Sequence, residues 1–242
     1  MTKITTPSNT FIIPVSSMSV DKVVLENDVF RHLLKGRTYV AVGNQILFER
    51  EGQYFLTMID NHNQKYTKKD YDQLPYKAPY QLIDGKLEYV ASPKDKHQDT
   101  LGNLYMLLAP YVKTNKIGRV RFAPLDVHFD EKNIYQPDLM FISNERKDII
   151  KDFIYGPPDL IVEVLSSNKK HDLGERKDVY GQYEVLEYWA VDYKKQTLDA
   201  YLNKEKKLIW QRQYTAEDEV KSEVVEGFSF VLKEILKRNR ID

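Results

Sequence analysis

The chain of 242 residues contains no cysteine, and that absence alone excludes disulfide scaffolds, thiolate zinc sites and cysteine nucleophiles. It also lacks a net charge, with 36 Lys and Arg against 36 Asp and Glu. Attraction to nucleic acid would therefore have to come from local patches rather than from an overall field. No window approaches the ~18 consecutive apolar residues of a membrane span. The first twenty residues lack the basic-then-apolar order of an export signal, so the expectation is a soluble, cytoplasmic protein. Internal repeats and low-complexity tracts are absent. So are phosphate-cradling glycine loops and dinucleotide fingerprints, which leaves a divalent ion as the only cofactor to expect. Without thiolates, such an ion would sit on oxygen or imidazole ligands. The length suits one large α/β domain or a domain with an appendage, and either buries a real core.

Against this background two apolar runs each carry an acid, Tyr135-Gln136-Pro137-Asp138-Leu139-Met140-Phe141-Ile142 and Pro158-Asp159-Leu160-Ile161-Val162-Glu163-Val164-Leu165. An ionised carboxylate inside an apolar strand loses several kcal/mol of hydration unless a cation, a metal or a set of donors replaces it. Asp159 and Glu163 lie on one face of their strand but about 13 Å apart by strand rise, too far to share an ion. Glu163, deeper in its run, is the better partner for Asp138, and Asp159 reads as a surface or strand-start residue. Two carboxylates, a backbone carbonyl and waters make a hard oxygen site suited to Mg²⁺ or Mn²⁺. Such an ion activates water and neutralises charge on a phosphate, the chemistry of phosphodiester hydrolysis. A cation nearby would complete the site, and Lys169, Lys170, Arg176 and Lys177 all follow the Glu163 run.

The rest of the chain reads as mixed α/β. Residues 1–20, rich in Ser, Thr and Pro, suggest a loose arm. The spacing of Val24, Leu25, Val29, Phe30, Leu33 and Leu34 predicts a helix over 21–34, and 37–60 alternates as strands around Gly52. A short helix is expected over 68–75. Two β-prone runs over 80–90 meet at Asp84-Gly85, a favoured tight-turn dipeptide. Leu101, Leu104, Tyr105, Leu108 and Val112 predict a helix over 96–113. Strands follow at 119–122 and 126–129, a charged helical connection at 144–153, a helix at 171–183, and a central strand at 187–192. Probable antiparallel strands at 197–201, 208–213 and 220–225 complete the chain. The division expected is an N-terminal extension over 1–65, of arm, helix and strands, and a second domain over 66–242.

Pro137-Asp138, Glu163-Val164-Leu165-Ser166, the stretch Asp172 to Tyr180 and Glu187-Tyr188-Trp189-Ala190-Val191-Asp192 together resemble the Uma2 family of restriction endonucleases, within the PD-(D/E)XK nuclease superfamily. The 80–87 hairpin and His97 resemble that family's opening segment, and the resemblance spans roughly Tyr66 to Tyr201. It implies a restriction-endonuclease-like mixed sheet flanked by helices, a Mg²⁺-dependent DNA-cleaving site on Asp138 and Glu163, and a homodimer. The superfamily lysine two positions after the glutamate is Leu165 here. Family members supply the cation from the following helix, at a position matching Arg176, with Lys177 beside it. Gln81 stands where many relatives carry glutamate.

Arginine keeps the charge but is too basic to accept a proton, and a glutamine carbonyl binds metal more weakly than a carboxylate. Catalytic roles are thus expected for Asp138, Glu163, Gln81 and either Arg176 or Lys177, with His97, Lys169 and Lys170 as phosphate contacts. Tyr188 and Trp189 read as core rather than as base-stacking residues. The function expected is a metal-dependent DNA endonuclease. The alternatives are a catalytically inactive binding module on the same fold and a metal-dependent phosphoesterase acting on a small substrate.

Overall fold

The computed structural model describes residues 10–14, 38–42, 45–50, 53–58, 65–72, 74, 80–90, 92–165 and 174–237. The chain divides into two compact units, one of residues 1–91 with 131–133, the other of 92–130 with 134–242.

In the first unit, β1 (Thr10–Pro14), β2 (Thr38–Val42), β3 (Gln45–Arg50) and β4 (Gln53–Met58) form an antiparallel sheet in that order. The expected loose arm thus contains a strand: Phe11-Ile12-Ile13 pair with Ala41, Val40 and Tyr39, their β-propensity outweighing the polar neighbours. The helix expected over 21–34 lies outside the described residues. The short helix α1 (Lys68–Tyr71) starts at Thr67, whose amide donates to the Asp70 carboxylate at 2.8 Å. The hairpin β5 (Tyr80–Ile83) and β6 (Lys86–Tyr89) turns at Asp84 and Gly85, with φ of 46° and 72°. These are the two left-handed positions that a type I′ turn demands. The Gly85 amide donates to Lys132 O at 2.9 Å, and the Asp84 amide to Asn133 Oδ1 at 3.0 Å.

The second unit opens with α2 (Asp95–Asn115), slightly longer than its pattern predicts. Leu101, Leu104, Leu108 and Val112 form its buried stripe. The strands β7 (Gly118–Phe122), β8 (Val127–His128), β9 (Ile134–Tyr135), β10 (Leu139–Ser143), β11 (Ile154–Tyr155) and β12 (Leu160–Val164) follow. After them come α3 (Glu175–Gln182), β13 (Glu187–Asp192), β14 (Thr197–Lys204), β15 (Lys207–Thr215), β16 (Glu219–Lys221), β17 (Ser229–Val231) and α4 (Lys233–Leu236). Six strands build the main sheet in the order β15-β14-β13-β12-β10-β7. Only the β12–β13 pair is parallel, and α3 lies in its crossover, as a parallel pair requires. β8 pairs with β9 antiparallel and with β11 parallel.

The α2 stripe packs with Val162, Val164, Trp189, Val191, Leu198 and Phe230 as one core. By strand alternation Glu163, Tyr188 and Tyr201 take the opposite face, where Tyr180 of α3 sits 5.8 Å from Tyr188 between ring centroids. Helices therefore flank both faces, and β13, buried throughout, is central as expected.

Two expectations fail. The connection over 144–153 is not a helix but a single 3₁₀ turn, Lys147–Ile149. Its Arg146 turns inward instead, donating to the carbonyls of Pro157 at 3.0 Å and Glu184 at 3.1 Å. The strand expected over 220–225 ends at Lys221. Beyond it the Glu187 carboxylate accepts the Ser222 hydroxyl at 2.6 Å and the amides of Glu223 and Val224 at 3.1 and 3.2 Å. Those amides have a partner that no sheet ladder supplies, so the chain turns.

Candidate active site

Pro137 and Asp138 precede β10, and β10 runs antiparallel to β12 with Leu139 opposite Val162. That register brings Asp138 beside Glu163, and the Asp138 amide lies 3.4 Å from Glu163 Oε2. Asp138 Oδ2 accepts the Val164 amide at 2.7 Å, which extends the ladder through a side chain. The same oxygen accepts His97 Nε2 at 3.1 Å, from the first turn of α2. His97 Nδ1 is buried without a hydrogen-bond partner among the described residues. Burial alone would lower the His97 pKa. The hydrogen bond to Asp138 and the charges of Asp138 and Glu163 outweigh it, so the imidazole is raised above its ordinary value.

Glu163 is 4% exposed. Its Oε1 accepts the Tyr180 hydroxyl at 2.7 Å and Arg176 Nη1 at 3.2 Å. The Arg176 guanidinium also lies over the Tyr135 ring, 5.9 Å from its centroid, and Tyr135 in turn meets Tyr180 edge-on at 5.4 Å. Burial, with the Glu163 charge added, pushes the Tyr180 hydroxyl well above the ordinary tyrosine range, so it remains a donor. Arg176 and Tyr180 stand four residues apart on α3 and share a face.

Arg176, and not Lys177, therefore touches the glutamate. Lys177 Nζ sits 3.3 Å from Asp178 and 5.5 Å above the Tyr201 ring. Gln81 belongs to the first unit, on β5. It is 1% exposed, and its Oε1 has no partner among the described residues. Lys169 and Lys170 lie outside the described residues. Asp159 starts β12 but is no surface residue. It is 5% exposed, accepts the Ser143 amide at 2.6 Å and pairs with Arg146 Nε at 3.3 Å, a self-contained ion pair away from Asp138. Tyr188 and Trp189 are fully buried, as expected of core residues. Tyr180 is the site residue that sequence reasoning passed over. Its signal was its place one helical turn after Arg176.

Among the described residues no three His, Asp or Glu side chains gather as a ready metal cage. The donor set nonetheless suits a hard cation. Among the described residues Asp138 Oδ1 has no hydrogen-bond partner, and Glu163 Oε2 makes only the long contact with the Asp138 amide. Two adjacent carboxylates completed by backbone carbonyl and water match the habit of Mg²⁺.

A buried acid pair on neighbouring strands, on a mixed sheet flanked by helices, is a nuclease-type arrangement. The sequence profile of the Uma2 family, described as "putative restriction endonuclease", matches residues 69–233, and the chain belongs to that family. A solved structure described as a putative nuclease belonging to DUF820, from Anabaena variabilis, is similar with a TM-score of 0.60 at 19% identity, covering 70% of this chain and 97% of its own. The fold is the restriction-endonuclease-like one. No curated protein sequence matches the chain. No helix among the described residues is long and apolar enough to cross a membrane.

Proposed function

We propose that this protein is a metal-dependent DNA endonuclease that hydrolyses phosphodiester bonds. The observation that carries the reading is the nearly buried Glu163 carboxylate beside Asp138 at the mouth of the β10–β12 pair. Membership of the Uma2 family supports it. In this reading Asp138 and Glu163 hold a Mg²⁺ or Mn²⁺ ion, which supplies Lewis acidity toward the scissile phosphate and acidifies water. His97 holds Asp138 through Oδ2 and leaves Oδ1 to the ion, and the Val164 amide fixes the same carboxylate. Tyr180 holds Glu163 through Oε1. Arg176 and Lys177 are the cations available to a phosphate, Arg176 as a charge and not as a base. Gln81, Lys169 and Lys170 assist with metal or phosphate. Residues 66–242 form the catalytic domain, 1–65 an extension, and the protein acts in the cytoplasm as a homodimer.

Plasmid cleavage with Mg²⁺ or Mn²⁺ tests this directly. Wild type is expected to nick or linearise DNA and Glu163→Ala to lose at least about 100-fold in rate, by the scale of removing one key electrostatic group. Equal cleavage by both would sink the assignment. A second reading, an inactive binding module on the same fold, draws on the Arg176–Glu163 ion pair, because an arginine cannot serve as a proton acceptor there. Wild-type DNA binding without cleavage in either metal would favour it.

A further inference from the structure

We propose that Arg176 is the resident countercation of Glu163 and competes with the divalent ion for that carboxylate, so that Arg176 sets how readily the site loads metal. The proposal rests on the reading of Asp138 and Glu163 as metal ligands. It concerns what stands in the ion's way.

Glu163 sits inside Leu160-Ile161-Val162-Glu163-Val164, where an uncompensated charge is costly. Compensation is present without any metal. Arg176 Nη1 is 3.2 Å from Oε1, and the two side chains are 15% and 5% exposed. The ion pair is therefore screened little by solvent or salt. The Tyr180 hydroxyl occupies the same Oε1 at 2.7 Å. The Tyr135 ring under the guanidinium at 5.9 Å steadies it by cation–π attraction.

The charge count is then one-sided. Asp138 and Glu163 bring two negative charges and Arg176 returns one, so an incoming divalent ion overshoots the site. A lysine could relieve such repulsion by shedding its proton on burial. Arginine stays charged, and its only relief is to swing off Glu163. Removing the positive charge leaves two carboxylates matched to one divalent ion.

The experiment is a calorimetric Mn²⁺ titration of the full-length chain as wild type, R176K, R176Q and R176Q with D138N. Because two like charges within a few ångströms repel by more than a thermal unit even in a partly screened site, R176Q is expected to bind Mn²⁺ at least about tenfold more tightly than wild type. R176K, which keeps the charge, is expected to stay near wild type, and adding D138N to R176Q to abolish the gain. Should R176Q fail to fold, the wild type still decides by NMR. Mg²⁺ that shifts the Asp138 and Val164 amides must also shift the Arg176 Nε–H resonance, because the guanidinium has to leave Oε1. If Mn²⁺ binds wild type and R176Q equally while D138N abolishes both, or if Mg²⁺ moves the amides and not Arg176, the metal reading stands and this inference falls. If no variant binds Mn²⁺, both fall.

Discussion

Tyr180→Phe isolates one bond at the candidate site. The ring is fully buried, and phenylalanine fills nearly the same volume, so the substitution leaves almost no cavity to confuse the result. What disappears is a 2.7 Å hydrogen bond from a neutral hydroxyl to the Glu163 carboxylate. Hydrogen bonds to charged groups contribute about 1.5–3 kcal/mol, neutral ones about 0.5–1.5 kcal/mol. Tyr180→Phe should therefore cost about 2 kcal/mol against wild type and about 1 kcal/mol in a Glu163→Gln background, a coupling of about 1 kcal/mol. Urea unfolding of the four proteins at pH 7 measures all three quantities. A loss below about 0.5 kcal/mol, or an equal loss in both backgrounds, would refute the assignment of the Tyr180 hydroxyl to an ionised Glu163.

Glu187 offers a test of stability against pH. Burial raises its pKa above the ordinary carboxylate value, although Ser222, the Val224 amide, Trp189 and the Glu223 amide all pull it down. A raised acid binds its proton more tightly folded than unfolded. Its contribution is fully present below the unfolded pKa, near 4.5, and fades as pH climbs through the folded one. The stability of wild type relative to Glu187→Gln should rise as pH falls from 7 toward that value, and chemical unfolding across the range would expose a flat or inverted difference. Glu187→Ala strands four donors, Trp189 Nε1 at 2.8 Å among them, and should cost about 3 kcal/mol or more in the same assay. Gly118→Ala places a Cβ 2.2 Å from the Ile142 carbonyl oxygen, a clash with backbone. It should destabilise by about 3 kcal/mol, read as a fall in melting temperature.

Much of this architecture is written locally. The Asp84-Gly85 turn, the α2 stripe and the apolar run of β13 each follow from residues within one element. Asp138 and Glu163 stand out because a charge in an apolar run needs a partner. Their mutual contact depends on the β10–β12 register, which no local pattern displays. The choice between Arg176 and Lys177 is a question of helical phase: neighbours on a helix point about 100° apart, and which one faces the sheet is decided by Tyr180 packing among Tyr135 and Tyr188. The 144–153 connection was misread because a charged segment with adjacent isoleucines suits a helix until Arg146 finds distant carbonyls. The 220–225 strand was lost to Glu187, an acid 35 residues before Ser222 in the chain.

The bond from the Val164 amide to Asp138 Oδ2 gives one oxygen two duties. It is a rung of the scaffold as well as part of the acid pair, so losing the carboxylate would also unfasten the open end of β12. A descendant that had abandoned cleavage would still be under pressure to keep this aspartate for the sake of its fold. The presence of Asp138 in a chain is thus poor testimony to activity. The state of Glu163, which no rung of the sheet requires, is the better witness.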